Sequence, residues 1–263
     1  MDLRDAKVLV TGASGGIGRA LATELAANGG KVILTGRRID VLKPLADKLH
    51  GRAIAADLTE PGAIDELMSA AGQIDVLVAN AALPATGLLA DYGIDELDRA
   101  LDVNLRVPIV MAQRAAEHMS SRRRGHLVFI SSLSGKTASS HASLYNATKF
   151  GIRGFALALR QELRSHNVGV STVFPGFISD AGMFADSGAT LPRGIGTRSP
   201  QDVARATVRA IAENAAEVDV APLNLRLLAM ISGAAPSLAA AVQHRAGASK
   251  VTEQLGEGQR HKR

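Results

Sequence analysis

Lys7-Val8-Leu9-Val10-Thr11-Gly12-Ala13-Ser14-Gly15-Gly16-Ile17-Gly18 reads as a short apolar strand that breaks into a glycine turn and opens a helix. Glycines close such a turn without a Cβ and let the backbone approach a pyrophosphate, which then meets the unpaired N–H groups of the helix. Gly12, Gly16 and Gly18 are spaced G-x-x-x-G-x-G, one residue longer in the turn than the commonest dinucleotide fingerprint. The expected cradle is Gly12, Ser14, Gly15, Gly16, Ile17 and Gly18.

Outward from this turn, strand and helix alternate with little between them. Strands are predicted at 7–11, 31–35, 52–55, 74–79, 126–131 and 168–174, with a last one at 217–220. Helical spacing covers 17–27, 42–49, 64–71, 94–117, 145–165 and 200–214. Pro108 marks an interruption or a first turn, and Ser199-Pro200 an N-cap followed by a first-turn proline. Runs such as Leu127-Val128-Phe129-Ile130 fit strands covered on both faces. The expected fold is therefore α/β, a doubly wound parallel sheet of the Rossmann type with three layers and about seven strands.

The dinucleotide-binding and catalytic domain is expected over 1–221. Within it, 177–198 has no sustained period and is predicted to be a substrate lid. Two apolar helices, 222–231 and 238–246, are expected within 222–255, packed on the domain or at a subunit interface; 256–263 is predicted to be a flexible basic tail.

Composition narrows the function classes. The 263 residues are 46% hydrophobic, enough for one large core, and contain no cysteine, which excludes disulfides and thiolate metal sites; no metal is expected. Two tyrosines, six phenylalanines and no tryptophan leave no stacking platform for nucleic-acid bases, despite a net charge of +5. The charged stretch 1–7 runs into the first strand without an export signal, which points to the cytoplasm. The apolar run 223–231 is too short to span a bilayer; peripheral attachment, with Arg226 and Arg245 at the headgroups, is the alternative to packing.

The second strand bears on the cofactor. NAD enzymes usually end it with an acid for the ribose hydroxyls, whereas here it ends Leu34-Thr35-Gly36-Arg37-Arg38. Arg37 and Arg38 suit a 2′-phosphate, with solvated helix-start residues as the other reading. Asp57, with Leu58 beside it, follows the third strand near the expected adenine position. Tyr145 and Lys149, four apart on a helix, share one face. A tyrosine can protonate the alkoxide that forms when a carbonyl takes up hydride, and a neighbouring cation favours its phenolate. Ser131 and Ser132 end a strand, where a hydroxyl lines the ligand crevice and can hold the substrate oxygen.

Over about 7–217 the chain resembles the short-chain dehydrogenase/reductase family. The resemblance rests on Thr11 to Gly18, Asp57, Asn80-Ala81, Asn104, the Ile-Ser-Ser strand end, Tyr145-x-x-x-Lys149 and Pro175-Gly176. It implies a tetrad. Tyr145 is the acid or base, and Ser132, thirteen residues before it, polarises the carbonyl; Ser131 is then structural. Lys149 holds the nicotinamide ribose and depresses the tyrosine pKa, while Asn104 supports a water that relays protons to Lys149. Asn80 and Ala81 would line the cofactor, and Pro175, Gly176 and Ile178 would cover the nicotinamide. The chain departs from the family pattern at Ala82, where glycine is usual and the backbone borders the cofactor, and at Asp180, where threonine often contacts the carboxamide.

The expected activity is hydride transfer between NADP(H), with NAD(H) less favoured, and an apolar ketone, aldehyde or secondary alcohol. The alternatives are a catalytically silent dinucleotide sensor and an NAD-dependent alcohol or steroid dehydrogenase of the same fold. Family members commonly form dimers or tetramers through the two helices flanking the site, here about 101–119 and 145–163, so a homodimer or homotetramer is expected.

Overall fold

Strands of four to eight residues, each joined to the next through helical structure, have connections long enough for parallel pairing, and they form a seven-stranded parallel sheet. The computed structural model describes the chain except residues 193, 238, 240, 242–247 and 261–263. The strands are β1 (Lys7–Thr11), β2 (Lys31–Gly36), β3 (Arg52–Ala55), β4 (Val76–Ala79), β5 (Gly125–Ile130), β6 (Val168–Pro175) and β7 (Glu217–Val220). Their order is β3-β2-β1-β4-β5-β6-β7.

The helices are α1 (Gly16–Ala27), α2 (Ile39–Lys48), α3 (Ala63–Ala71), α4 (Ile94–Leu101), α5 (Val107–Ser121), α6 (Ser143–Leu163), α7 (Met183–Ser187), α8 (Pro200–Glu213), α9 (Leu223–Ala234) and α10 (Ala248–Gln259). Successive strand residues point to opposite faces, and the two cores divide accordingly. Val8 and Val10 of β1 pack with Leu21 and Leu25 of α1, Leu42 of α2 and Ile211 of α8. Leu9 packs on the other face with Leu67 of α3, Met111 of α5 and Ile152 of α6. The chain therefore leaves β1 toward one layer and β4 toward the other. A crevice opens between the C-terminal ends of these adjacent strands, the place where open α/β sheets bind ligands.

The doubly wound three-layer sheet has the expected seven strands. Of the one or two helices expected over 94–117, two form: α4 passes through a π-helical turn, Asp102–Arg106, into α5, where Pro108 is the second residue. β5 stops at Ile130, which sets Ser131 and Ser132 just beyond the strand. The lid contains a single short helix, α7.

Of the tail expected over 256–263, residues 261–263 lie outside the described residues, and the part before them is helical. Residues 256–259 complete α10, and Gln259 is 1% exposed. Gly256 and Gly258 suggested a frayed end, but without Cβ atoms they let the helix lie directly on the backbone of Gly87 and Ser187, and that packing overrides propensity. The helix expected at 238–246 lies outside the described residues at most of its positions. α9 packs Leu225 and Ala229 against Leu133 and Phe174, while Leu223, Leu227, Met230 and Ile231 face outward. No described helix is long and apolar enough to cross a membrane.

Candidate active site

β1 and β4 are tied together at their C-terminal ends by polar groups from both. The Thr11 hydroxyl accepts the N–H groups of Asn80 and Ala81, each at 3.0 Å, and the Asn80 amide donates to the carbonyls of Thr11 at 2.9 Å and Gly12 at 3.3 Å. Gly12 has φ +64°, and a Cβ on it would lie 2.9 Å from Ala81 Cα, so both conformation and space require glycine. A Cβ on Gly18 would run into the Gly12 carbonyl and lie 2.7 Å from Ala13 Cα, which is why α1 starts tight against the turn. No side chain caps α1. Its first-turn N–H groups thus meet a cleft of about 320 Å³ without a side-chain acceptor, the donor arrangement a diphosphate needs.

The end of this cleft beyond β2 is basic. Arg37, Arg38, Asp57 and Leu58 all line it, as the sequence suggested, together with Thr59 and Arg99, which it did not single out. Arg38 occupies the N-cap position of α2 and donates to the Ser14 carbonyl at 3.3 Å, so it braces the turn as well as the rim. Burial works against the Asp57 carboxylate. The Thr59 hydroxyl and amide, at 2.7 and 3.1 Å, outweigh it with help from Arg37 and Arg99, and the pKa stays below the usual range. Arg99 comes from the far wall, on α4, where its surroundings looked like an ordinary amphipathic helix.

A second cleft of about 110 Å³ adjoins the first through Ile17, Asn80, Ala82 and Met183. It holds Ser132, Tyr145, Lys149, Pro175, Gly176 and Ile178. The Ser132 hydroxyl accepts the Ser134 N–H at 3.1 Å and lies near enough to the Tyr145 phenol to draw its pKa down. Ser131 instead turns inward and donates to the Lys149 carbonyl at 3.3 Å, under a backbone approach so close that a Cβ on Gly135 would lie 2.7 Å from the same oxygen. Lys149 is 4% exposed; its Nζ lies 5.5 Å from the Tyr145 ring centre and donates to the Ile130 carbonyl at 3.3 Å. Burial pushes the lysine down to about 8 and the tyrosine up to about 12, with only the Ser132 hydroxyl opposing the latter. Without ligand, desolvation therefore decides the tyrosine, and the lysine charge does not lower it.

Asn104 lines neither cleft. From the π-helical turn its side chain clamps the Leu83 backbone in both directions, accepting the N–H at 2.7 Å and donating to the carbonyl at 2.9 Å. Ala82 borders both clefts, whereas Asp180 borders neither: it is exposed at φ +62° and accepts the Ser179 hydroxyl at 2.8 Å.

The lid lies over these groups. Ala181 sits against the bare Cα of Gly16, and Met183 and Phe184 close the second cleft, with Phe177 packed on Phe184 at 5.2 Å between ring centres. Asp186 and Gln259 complete the wall of the first cleft. Nothing in the spacing around 259 signals that position, because its role depends on packing with residues far away in sequence. Among the described residues no group of three or more His, Asp or Glu side chains is placed to hold a metal ion.

The family model described as short chain dehydrogenase matches residues 6–192. An uncharacterized oxidoreductase of Staphylococcus aureus (strain N315) is 33% identical over 232 residues, taking in 84% of this chain and 99% of that protein. Among solved structures, the closed form of a serine dehydrogenase complexed with NADP+ is similar at a TM-score of 0.73 and 26% identity, over 82% of this chain and 95% of that one. A short-chain dehydrogenase from Sphingobium yanoikuyae in complex with NADPH shares the fold at a TM-score of 0.77 and 24% identity, over 89% and 94% of the two chains.

Proposed function

Because the chain belongs to the short-chain dehydrogenase family of oxidoreductases, we propose that it reduces an apolar ketone or aldehyde with NADPH, or runs the reverse oxidation, using Tyr145 as acid or base. The observation that carries this reading is the meeting of Ser132, Tyr145 and Lys149 in one cleft that is continuous with the basic one. A bound dinucleotide supplies or accepts the hydride. Tyr145 gives its phenolic proton to the developing alkoxide, and Ser132 donates to the same oxygen as charge grows there.

Lys149 and Tyr145 are each held away from their charged forms by burial, so each is the other's natural compensation: a phenolate beside an ammonium restores both. The Asn104 side chain is committed to Leu83, which leaves its main-chain carbonyl as the group to support a water that relays protons to Lys149. Ile17, Ile130, Ile178, Met183 and Phe184 around the reacting pair favour an apolar substrate.

The choice of NADP(H) is supported by three guanidiniums at the adenosine end and the absence of an acid closing β2; the serine dehydrogenase neighbour is itself complexed with NADP+. Outward apolar residues Leu101 before the π-helical turn and Phe150 and Leu157 on α6 support a dimer or tetramer through these helices. The test is paired titration with NADPH and NADH, then turnover on a panel of apolar carbonyls. We expect tighter NADPH binding, and a loss of turnover of about a hundredfold or more in Tyr145→Phe. NADH preference would remove the role given to Arg37 and Arg38, and full activity in Tyr145→Phe would overturn the mechanism.

A further inference from the structure

Lid and C-terminal helix are joined at three points, and a fourth contact fixes the helix to the sheet rim. Gln259, buried at 1% exposure, donates its amide to the Met183 carbonyl at the start of α7. Gly258 lies on the last residue of α7, where a Cβ would meet the Ser187 carbonyl and lie 2.9 Å from Ser187 Cα. Beyond α7, the Thr190 N–H donates to Gln254 at 3.1 Å. On the opposite side Gly256 sits on the segment that follows β4, where a Cβ would lie 3.1 Å from both Gly87 Cα and the Thr86 carbonyl. α10 thus bridges from the lid to the fixed rim of the sheet. Met183 and Gln259 are also walls of the dinucleotide cleft, and Ala181, two residues before α7, rests on Gly16 of the phosphate-binding turn.

From this arrangement the geometry points to α10 as a latch that holds the lid down over the dinucleotide, with Gln259 as the positioning residue that ties latch to lid. The inference rests on the dinucleotide reading of the cleft. A lid that rests on the phosphate-binding turn must lift before a dinucleotide held there can leave, and lifting it away from α10 breaks the bonds from Gln259 and Gln254 together with the Gly258 contact, while Gly256 keeps the helix on the rim. The latch therefore acts on release, with its largest effect on the dissociation rate. Both glycines are needed for the same reason: any larger side chain separates the helix from the backbone it lies on.

The test compares the full chain with Gly258→Val, which wedges α10 off Ser187 without altering a residue of either cleft, and with Gln259→Ala, which removes the side chain beyond Cβ and with it both the bond to Met183 and a part of the cleft wall. Gly233→Ala serves as the control, because no atom lies within 4 Å of its added Cβ. Two quantities are read: hydrogen exchange of the lid amides 183–190 in the ligand-free protein, and NADPH dissociation by fluorescence after a chase with excess NADP+. We expect faster lid exchange in both variants and NADPH release faster by about tenfold, the scale of one lost backbone hydrogen bond, with the control unchanged.

Unaltered lid exchange in both variants overturns the latch. Faster exchange with unaltered release overturns its hold on the dinucleotide. If the parent chain binds neither NADPH nor NADH, the dinucleotide reading fails instead, and lid exchange still decides whether α10 holds the lid.

Discussion

Burial sets Lys149 and Tyr145 against their own charged forms, and the lysine bears the consequence at neutral pH. Its folded pKa of about 8 lies below the ordinary 10.5, so the folded chain releases a proton that the unfolded chain keeps. Stability from this residue is fully present above 10.5 and is lost as pH falls through 8, where the ammonium is forced into the buried site. Lys149→Met should therefore abolish turnover yet stabilise the ligand-free protein at pH 7, by up to about 3 kcal/mol. Thermal melts at pH 7 and 10 check this: the gain should shrink at the higher pH, and equal melts at pH 7 would contradict the assigned burial cost. Tyr145, Lys149 and Ser132 were legible in the sequence because a four-residue helical spacing and a strand end fix where side chains point. The Asn104 clamp on Leu83 was not legible, since its partner lies 21 residues away and no local pattern encodes the pairing.

At the scale of elements, α8 shows what local chemistry can specify. Ser199 accepts the Asp202 N–H while Asp202 bonds back to the Ser199 N–H at 2.9 Å, and Pro200 fills the first turn. Removing the cap in Ser199→Ala should cost about 1 kcal/mol and lower the melting temperature by about 2–4 °C, with NADPH affinity unchanged because α8 touches neither cleft. A shifted affinity would mean that α8 is coupled to the site. The start of this helix could be read directly, since serine and proline act on their own backbone. The break between α4 and α5 was signalled by Pro108, but the π-helical turn that makes it, over Asp102–Arg106, was not, because apolar spacing runs on through it. α10 escaped for a related reason. Two glycines that weaken an isolated helix become an advantage only when another backbone lies against them, and that contact is tertiary.

Across the whole molecule, the alternation of strand and helix announced the layered sheet, because runs of apolar residues in short strands require cover on both faces. Part of its tolerance of acid rests on a residue that the sequence left unremarked, and part on carboxylates such as Glu217 and Asp57, whose pKa values are lowered. His126 on β5 faces Gly169 on β6 in register and is 1% exposed; its Nε2 lies 2.8 Å from the Ser171 hydroxyl, and the ring fills space that a Cβ on Gly169 would take. Burial lowers its pKa to about 3 from 6.5, so between these values the unfolded chain takes up a proton that the folded chain refuses. Stability should fall as pH drops below 6.5, by about 2 kcal/mol at pH 5. Urea titrations at pH 7 and 5 measure this drop, and His126→Gln should flatten it; an undiminished drop would assign acid sensitivity to other groups. The bond from Asn80 to Thr11 carries a further consequence, for the order in which the protein comes into being. It closes a loop of 69 residues, so the first strand acquires its inner neighbour only after the chain has travelled out through two strands and back. Such distant pairing is slow. The crevice thus forms where the sheet joins its most distant neighbouring strands, and one hydrogen-bonding edge of β1 stays unpaired until β4 is in place.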